Sequence, residues 1–190
     1  MRLYLLICSF VIITSILCSK SISKYNIQDL KDTYKEDTNR VKLIDKNKLL
    51  RLCKSNNSKL TWVAIYTNHC SGTQYLLQDI NNAILKYGNK FQILLCSSVP
   101  YAEVPEMLKV LNKYKVFVSP VYIIDSNFHK DDIEDNRVKG DDFRNDICKP
   151  WRSEIIGVPY SILFNKRGII VYHGYNMNNE IDSILNVYLK

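Results

Sequence analysis

The sequence predicts an α/β domain with a central mixed β-sheet and helices on both of its faces. Three observations carry this. From residue 45 onward, short apolar runs rich in β-branched and aromatic residues alternate with segments whose apolar residues recur at three-and-four spacing. Two of those runs, 60–67 and 91–96, are predominantly apolar without strict alternation, as strands covered on both faces are. The last two runs flank Lys166-Arg167-Gly168, a hairpin signal, so the sheet ends in an antiparallel pair. Composition agrees. With 190 residues and 46% hydrophobic content the chain can fill one core, and Gly 6 with Pro 5 excludes collagen-like and low-complexity classes.

Each element follows in order. Asp45 is placed to cap a helix carrying Leu49, Leu50, Leu52 and Cys53. Residues 60–67 (LTWVAIYT) form a buried strand, and Asn68-His69-Cys70-Ser71-Gly72-Thr73 turns into a helix. That helix shows Leu76, Leu77, Ile80, Ile84 and Leu85 on its apolar face and stops near Tyr87-Gly88. Residues 91–96 (FQILLC) are a second buried strand, and 104–114 a helix with Met107, Leu108 and Leu111. The apolar stretch 116–124 is interrupted by Ser119-Pro120, which makes it a broken or edge strand. Residues 125–150 are polar and read as an inserted loop with a helix near 141–148. The hairpin strands 161–165 and 169–175 precede a final helix over 178–189 with Ile181, Ile184, Leu185 and Leu189.

The N-terminus reads differently. Arg2 precedes an apolar run over 3–17, which suits the core of an export signal and is short for a spanning helix. Cys18 ends the run. This resembles the lipobox of bacterial lipoproteins, which implies acylation at Cys18; plain cleavage and a retained signal anchor are the other readings. Each assigns the remainder to an extracytoplasmic site, the periplasm or cell envelope, and the first and last attach it to the membrane. Residues 1–18 are therefore the signal, 19–44 a polar, charged tether, and 45–190 the domain. Lys+Arg 26 against Asp+Glu 19 leaves +7, but the excess is diffuse, and no basic stripe interleaved with aromatics points to nucleic acid.

The order of elements, with a single Cys after the first buried strand, resembles the thioredoxin-like superfamily. Two segments carry the resemblance: 62–73 (WVAIYTNHCSGT), where that family places Cys-x-x-Cys, and 156–168 (IGVPYSILFNKRG), which looks like its cis-proline strand and hairpin. The insertion before Pro159 is similar to that of the extracytoplasmic TlpA-like and redoxin branch. The resemblance covers 46–190 and implies thiol–disulfide exchange with a client protein or a small thiol, without a cofactor. The sequence departs from the family pattern twice: the second Cys is Thr73, and the buried acid six residues before the first Cys is Ala64.

These residues define what exchange requires. A Cys70 at a helix start faces unpaired N–H groups and the positive end of the dipole, which favours the thiolate. His69 adds positive charge when protonated, and Thr73, one turn along, is placed to turn its hydroxyl toward the sulfur. The resemblance puts Val158 and Pro159 beside the sulfur, and these with Tyr66 form the expected client surface. A single thiol can form a mixed disulfide and then needs a second thiol. Cys148, shortly before Pro159, is the internal candidate, while Cys53 and Cys96 read as core positions. The alternative function is a binding module that uses the same groove without redox turnover. A lesser one is a peroxiredoxin-like peroxidase, from Thr67-x-x-Cys70.

No His and Cys spacing suits a metal, since His129 and His173 lie far from His69-Cys70. His173 reads as a satisfied sheet histidine and Trp151 as a packing anchor for the insertion. The acidic residues Asp131, Asp132, Glu134, Asp135, Asp141, Asp142 and Asp146 read as a solvated loop.

Overall fold

The computed structural model describes residues 40–55, 58–99, 103–125, 136–149, 157–175 and 180–189. The signal segment with Cys18, most of the tether, Asp131 to Asp135, His129 and Trp151 lie outside them.

The elements run β1 (Val41–Ile44), α1 (Lys46–Ser55), β2 (Leu60–Tyr66), α2 (Thr73–Tyr87), β3 (Phe91–Ser97), α3 (Val104–Lys113), β4 (Val121–Ile124), α4 (Asn136–Ile147), β5 (Tyr160–Asn165), β6 (Ile170–Tyr175) and α5 (Glu180–Leu189), with a short 3-10 turn, Gly88–Lys90, between α2 and β3. The six strands form one sheet in the order β1-β4-β3-β2-β5-β6. β1, β4, β3 and β2 pair in parallel, and β5 runs antiparallel to both β2 and β6. This is the mixed α/β sheet the sequence predicts.

Alternation along β2 splits the core in two. Trp62, Ala64 and Tyr66 face a layer built with Leu76, Leu77 and Ile80 of α2, Met107 and Leu111 of α3, and Leu185 of α5. Val63 and Ile65 face the opposite layer, with Leu49 and Cys53 of α1 and Phe143 and Ile147 of α4. β2 is buried on both faces, which is why its sequence is apolar at all positions but Thr61 rather than at alternate ones. Lys46 of α1 reaches Asp146 of α4 at 3.0 Å across the second layer.

Three expectations are corrected. The tether does not extend to residue 44: Val41–Ile44 is an edge strand registered on Val121–Ile124. It is too short, and its burial too uneven, to show a period. Arg40, just before it, is buried and donates from Nη2 to the Val116 carbonyl at 2.6 Å, which ties the strand's entry to the segment before β4. The apolar face of α2 is narrower than predicted, since Leu85 is 70% exposed. Finally, the inserted acidic stretch is not wholly solvated. Residues 136–147 form α4, and Asp141 is buried in an ion pair with Arg144, Oδ1 to Nη1 2.9 Å.

Candidate active site around Cys70

The C-terminal end of β2 delivers the cysteine turn. The chain leaves the sheet at Thr67, turns through Asn68 and His69, and enters α2 after Gly72. The Cys70 N–H donates to the Thr67 carbonyl at 3.4 Å, and the Cys70 carbonyl accepts the Thr73 N–H at 3.0 Å. Cys70 is therefore fixed by its backbone two residues ahead of the helix cap, and its side chain is half-buried.

The second half of the site comes from the segment before β5. The Val158–Pro159 peptide is cis, and the Cys70 thiol donates to the Val158 carbonyl, Sγ to O 3.0 Å. The Pro159 ring lies on Gly72 so closely that a Cβ there would stand 2.9 Å from Pro159 Cδ and 3.7 Å from Cys70 Sγ. The register that brings these turns together is that of β2 with β5, where Ile65 faces Tyr160. Residues 88 positions apart in sequence thus meet at one sulfur.

The other expected residues take different positions. Thr73 is buried and its hydroxyl donates to the Thr67 carbonyl at 2.7 Å, so that proton serves the turn and not the sulfur. His69 is exposed and pairs with Glu103 ahead of α3, Nε2 to Oε2 3.1 Å. Tyr66 is fully buried, because alternation along β2 turns it into the first core layer, so its side chain is not part of the exposed groove. Burial pushes its phenol well above its usual range.

The described cysteines, Cys53, Cys70, Cys96 and Cys148, are all free thiols. Cys53, Cys96 and Cys148 share the second core layer. Burial pushes the Cys148 thiol up to about 11, with Arg144 pulling modestly the other way, and Cys53 up to about 12. Cys96 is raised by burial first and by Cys53 second. At neutral pH a thiol near 11 is thiolate in only about one part in ten thousand, so Cys148 as held here is a poor resolving nucleophile.

Sequence reading missed several residues around the cysteine. Thr67 Oγ1 and both polar atoms of Asn68 are buried beside the cysteine turn with no protein partner among the described residues, and so retain hydrogen-bonding capacity. Gly140, Asp141 and Arg144 of α4 pack on the 157–158 segment. Asp141 and Arg144 fall in the helix the sequence places near 141–148, but nothing along the chain signals its contact with 157–158. His173 is accounted for by the sheet: its Nδ1 lies 2.7 Å from the Tyr160 hydroxyl. No group of His, Cys, Asp and Glu suited to hold a metal occurs among the described residues.

No protein-family model and no curated protein matches the chain. Solved structures do resemble it. A thiol:disulfide interchange protein of the thioredoxin family from Chlorobium tepidum aligns with 74% of this chain and 84% of its own, at 12% identity and TM-score 0.49. The thioredoxin domain of a thiol-disulfide oxidoreductase from Bacteroides vulgatus covers 73% and 84%, at 20% identity and TM-score 0.46. StoA from Bacillus subtilis covers 63% and 75%, at 18% identity and TM-score 0.38. Likeness at these identities concerns fold alone, and at these TM-scores the fold assignment rests on the topology of this chain.

Proposed function

We propose that this chain, a thioredoxin-like domain by its sheet order and by the cis-proline turn facing its cysteine turn, exchanges thiols and disulfides through Cys70 alone. One observation carries the reading: a half-buried sulfur at the end of the central strand, 3.0 Å from the backbone carbonyl that precedes the cis-proline. The Cys70 thiolate attacks one sulfur of a client disulfide, forms a mixed disulfide and releases the other sulfur as thiolate. A second thiolate, from the client or a small thiol, then attacks the client sulfur, and Cys70 leaves as thiolate. With Thr73 in place of a second cysteine and Cys148 buried, no cysteine among the described residues is placed to resolve the mixed disulfide, and a client or small thiol takes that role. Client proteins with exposed disulfides or thiols, and small thiols, are the partners this implies.

Cys70→Ser abolishes covalent capture of a peptide disulfide, read as a mixed-disulfide mass on non-reducing separation. Capture that survives the substitution sinks the proposal. The structural case for the alternative, a binding module, is the Thr73 hydroxyl bound to Thr67 where a resolving thiol would stand. That reading requires peptide binding that Cys70→Ser leaves intact and no mixed disulfide in the parent protein.

Export and membrane attachment belong to the same proposal. They are supported by Arg2, the apolar run and Cys18. No helix among the described residues is long and apolar enough to cross a membrane. Incorporation of labelled fatty acid that Cys18→Ala removes is the expected result for a lipid anchor.

A further inference from the structure

We infer that the Asp141–Arg144 pair of α4 is a positioning device for Cys70: it grips the backbone N–H and carbonyl of Gly157 and so holds the Val158 carbonyl on the sulfur. The inference deepens the exchange reading above and rests on it.

The grip is made of three contacts. The Gly157 N–H donates to Asp141 Oδ1 at 2.8 Å. Arg144 Nη1 donates to the Gly157 carbonyl at 3.1 Å and pairs with the same Asp141 oxygen at 2.9 Å. The two side chains and the Gly157 backbone, from N–H to carbonyl, thus close a ring. Both residues are buried, Arg144 at 2% exposure and Asp141 at 8%. The guanidinium stacks over the Tyr160 ring at 4.8 Å, and its Nε and Nη2 donate to Asn145 Oδ1. One residue before Asp141, Gly140 brings the helix backbone so near that a Cβ would stand 3.1 Å from Val158 Cγ1. Residues 140, 141 and 144 lie on one helical face, and that face meets 157–158.

Two physical points make this more than packing. A buried ion pair is weak evidence for stability, because desolvation offsets most of its attraction. Both members of this pair bond one backbone unit, the N–H and carbonyl of Gly157, while the other Arg144 donors go to Asn145. That unit needs holding: Gly157 has φ +135°, a conformation L side chains rarely adopt, and a Cβ there would also meet Tyr175 Oη at 3.2 Å. The held neighbour is Val158, whose carbonyl accepts the Cys70 S–H. A sulfur held on that oxygen must give up the contact before it reacts. Loosening the grip should therefore do two opposite things. It frees the sulfur toward a small reagent, and it displaces the backbone edge along which an extended client would lie.

The test uses the full chain with Asp141→Asn, Arg144→Lys and, as a variant that pushes Val158 while leaving the pair intact, Gly140→Ala. Alkylation of each cysteine by iodoacetamide is followed against pH by peptide mass spectrometry. Capture of a peptide disulfide is measured beside capture of a small symmetric disulfide. Expected for all three variants is Cys70 alkylation roughly threefold to tenfold faster at pH 7, the range one hydrogen bond supplies. Capture of the peptide falls relative to that of the small disulfide, while Cys53, Cys96 and Cys148 stay slow. Unchanged Cys70 profiles overturn the inference, and so does acceleration at all four cysteines, which marks a general loss of packing. Failure of the parent protein to form any mixed disulfide defeats the exchange reading alone, and the alkylation profiles then still decide the positioning role.

Discussion

Gly72 makes no conformational demand, since its φ of −68° and ψ of −20° suit any residue. What it provides is room for the Pro159 ring. Gly72→Ala therefore acts through sterics, and because a proline ring cannot swing aside, the two turns separate. The expected cost is about 1–3 kcal/mol, the range for overpacking, with a larger fractional loss in peptide capture than in alkylation of Cys70; a denaturant midpoint measured beside the capture assay checks both. The same scale explains why the four described thiols differ. Cys70 is half-buried, whereas Cys53, Cys96 and Cys148 are enclosed and their thiols are raised by burial. In the native protein at pH 7 only Cys70 of these four should label rapidly, the rest following on addition of denaturant. Fast native labelling at Cys148 would restore it as a resolving thiol.

Among the elements, α1 and α4 show opposite degrees of legibility. Asp45 accepts the Lys48 N–H at 2.7 Å, the capping bond its position predicts. Asp45→Ala should lower stability by about 0.5–2 kcal/mol, the usual range for a lost cap, with the denaturant slope unchanged and Cys70 alkylation unaffected. α4 is legible only in part: the sequence places a helix near 141–148, and the structure begins it at Asn136. It carries Gly140 and three Asp residues, and its mean apolar content is low because part of its buried face is an ion pair rather than a hydrocarbon stripe. A periodicity argument has no purchase on such a helix. β1 escapes for a related reason: four residues at a sheet edge hold too little pattern, and their partner β4 lies 80 positions away in register.

The domain from residue 40 onward is two core layers about one sheet, and its pH response follows from groups at the end of the second. His173 on β6 is held below its usual range, by burial first and by Arg144 second. Tyr160, Tyr175 and Arg144 crowd that region. The unfolded chain takes up this proton near pH 6.5, the folded chain only at lower pH. Stability is thus full above that point and falls as pH drops through about 6.5 toward the folded value. A melting temperature lower at pH 5.5 than at 7.5 is expected, with His173→Gln flattening the difference. Asp146 and Asp182 act in a separate, more acid window. Lysine partners hold both low, so their contribution persists down to about pH 4 and is lost below it.

Much of this architecture can be read along the chain. Burial on both faces leaves continuous apolar strands, amphipathic helices leave a three-and-four period, and a tight turn leaves Lys-Arg-Gly; each is a local signature of a local requirement. The cysteine turn and the Gly-Val-Pro segment were legible for the same reason, as short motifs in register. What the chain could not declare were the contacts between them. That the Thr73 hydroxyl serves Thr67, that Tyr66 points inward, that Cys148 is sealed and that Asp141 with Arg144 holds Gly157 depend on distances set by sheet register and by the approach of α4. Such contacts join residues many positions apart, and side-chain direction at a site is fixed only when the layers close.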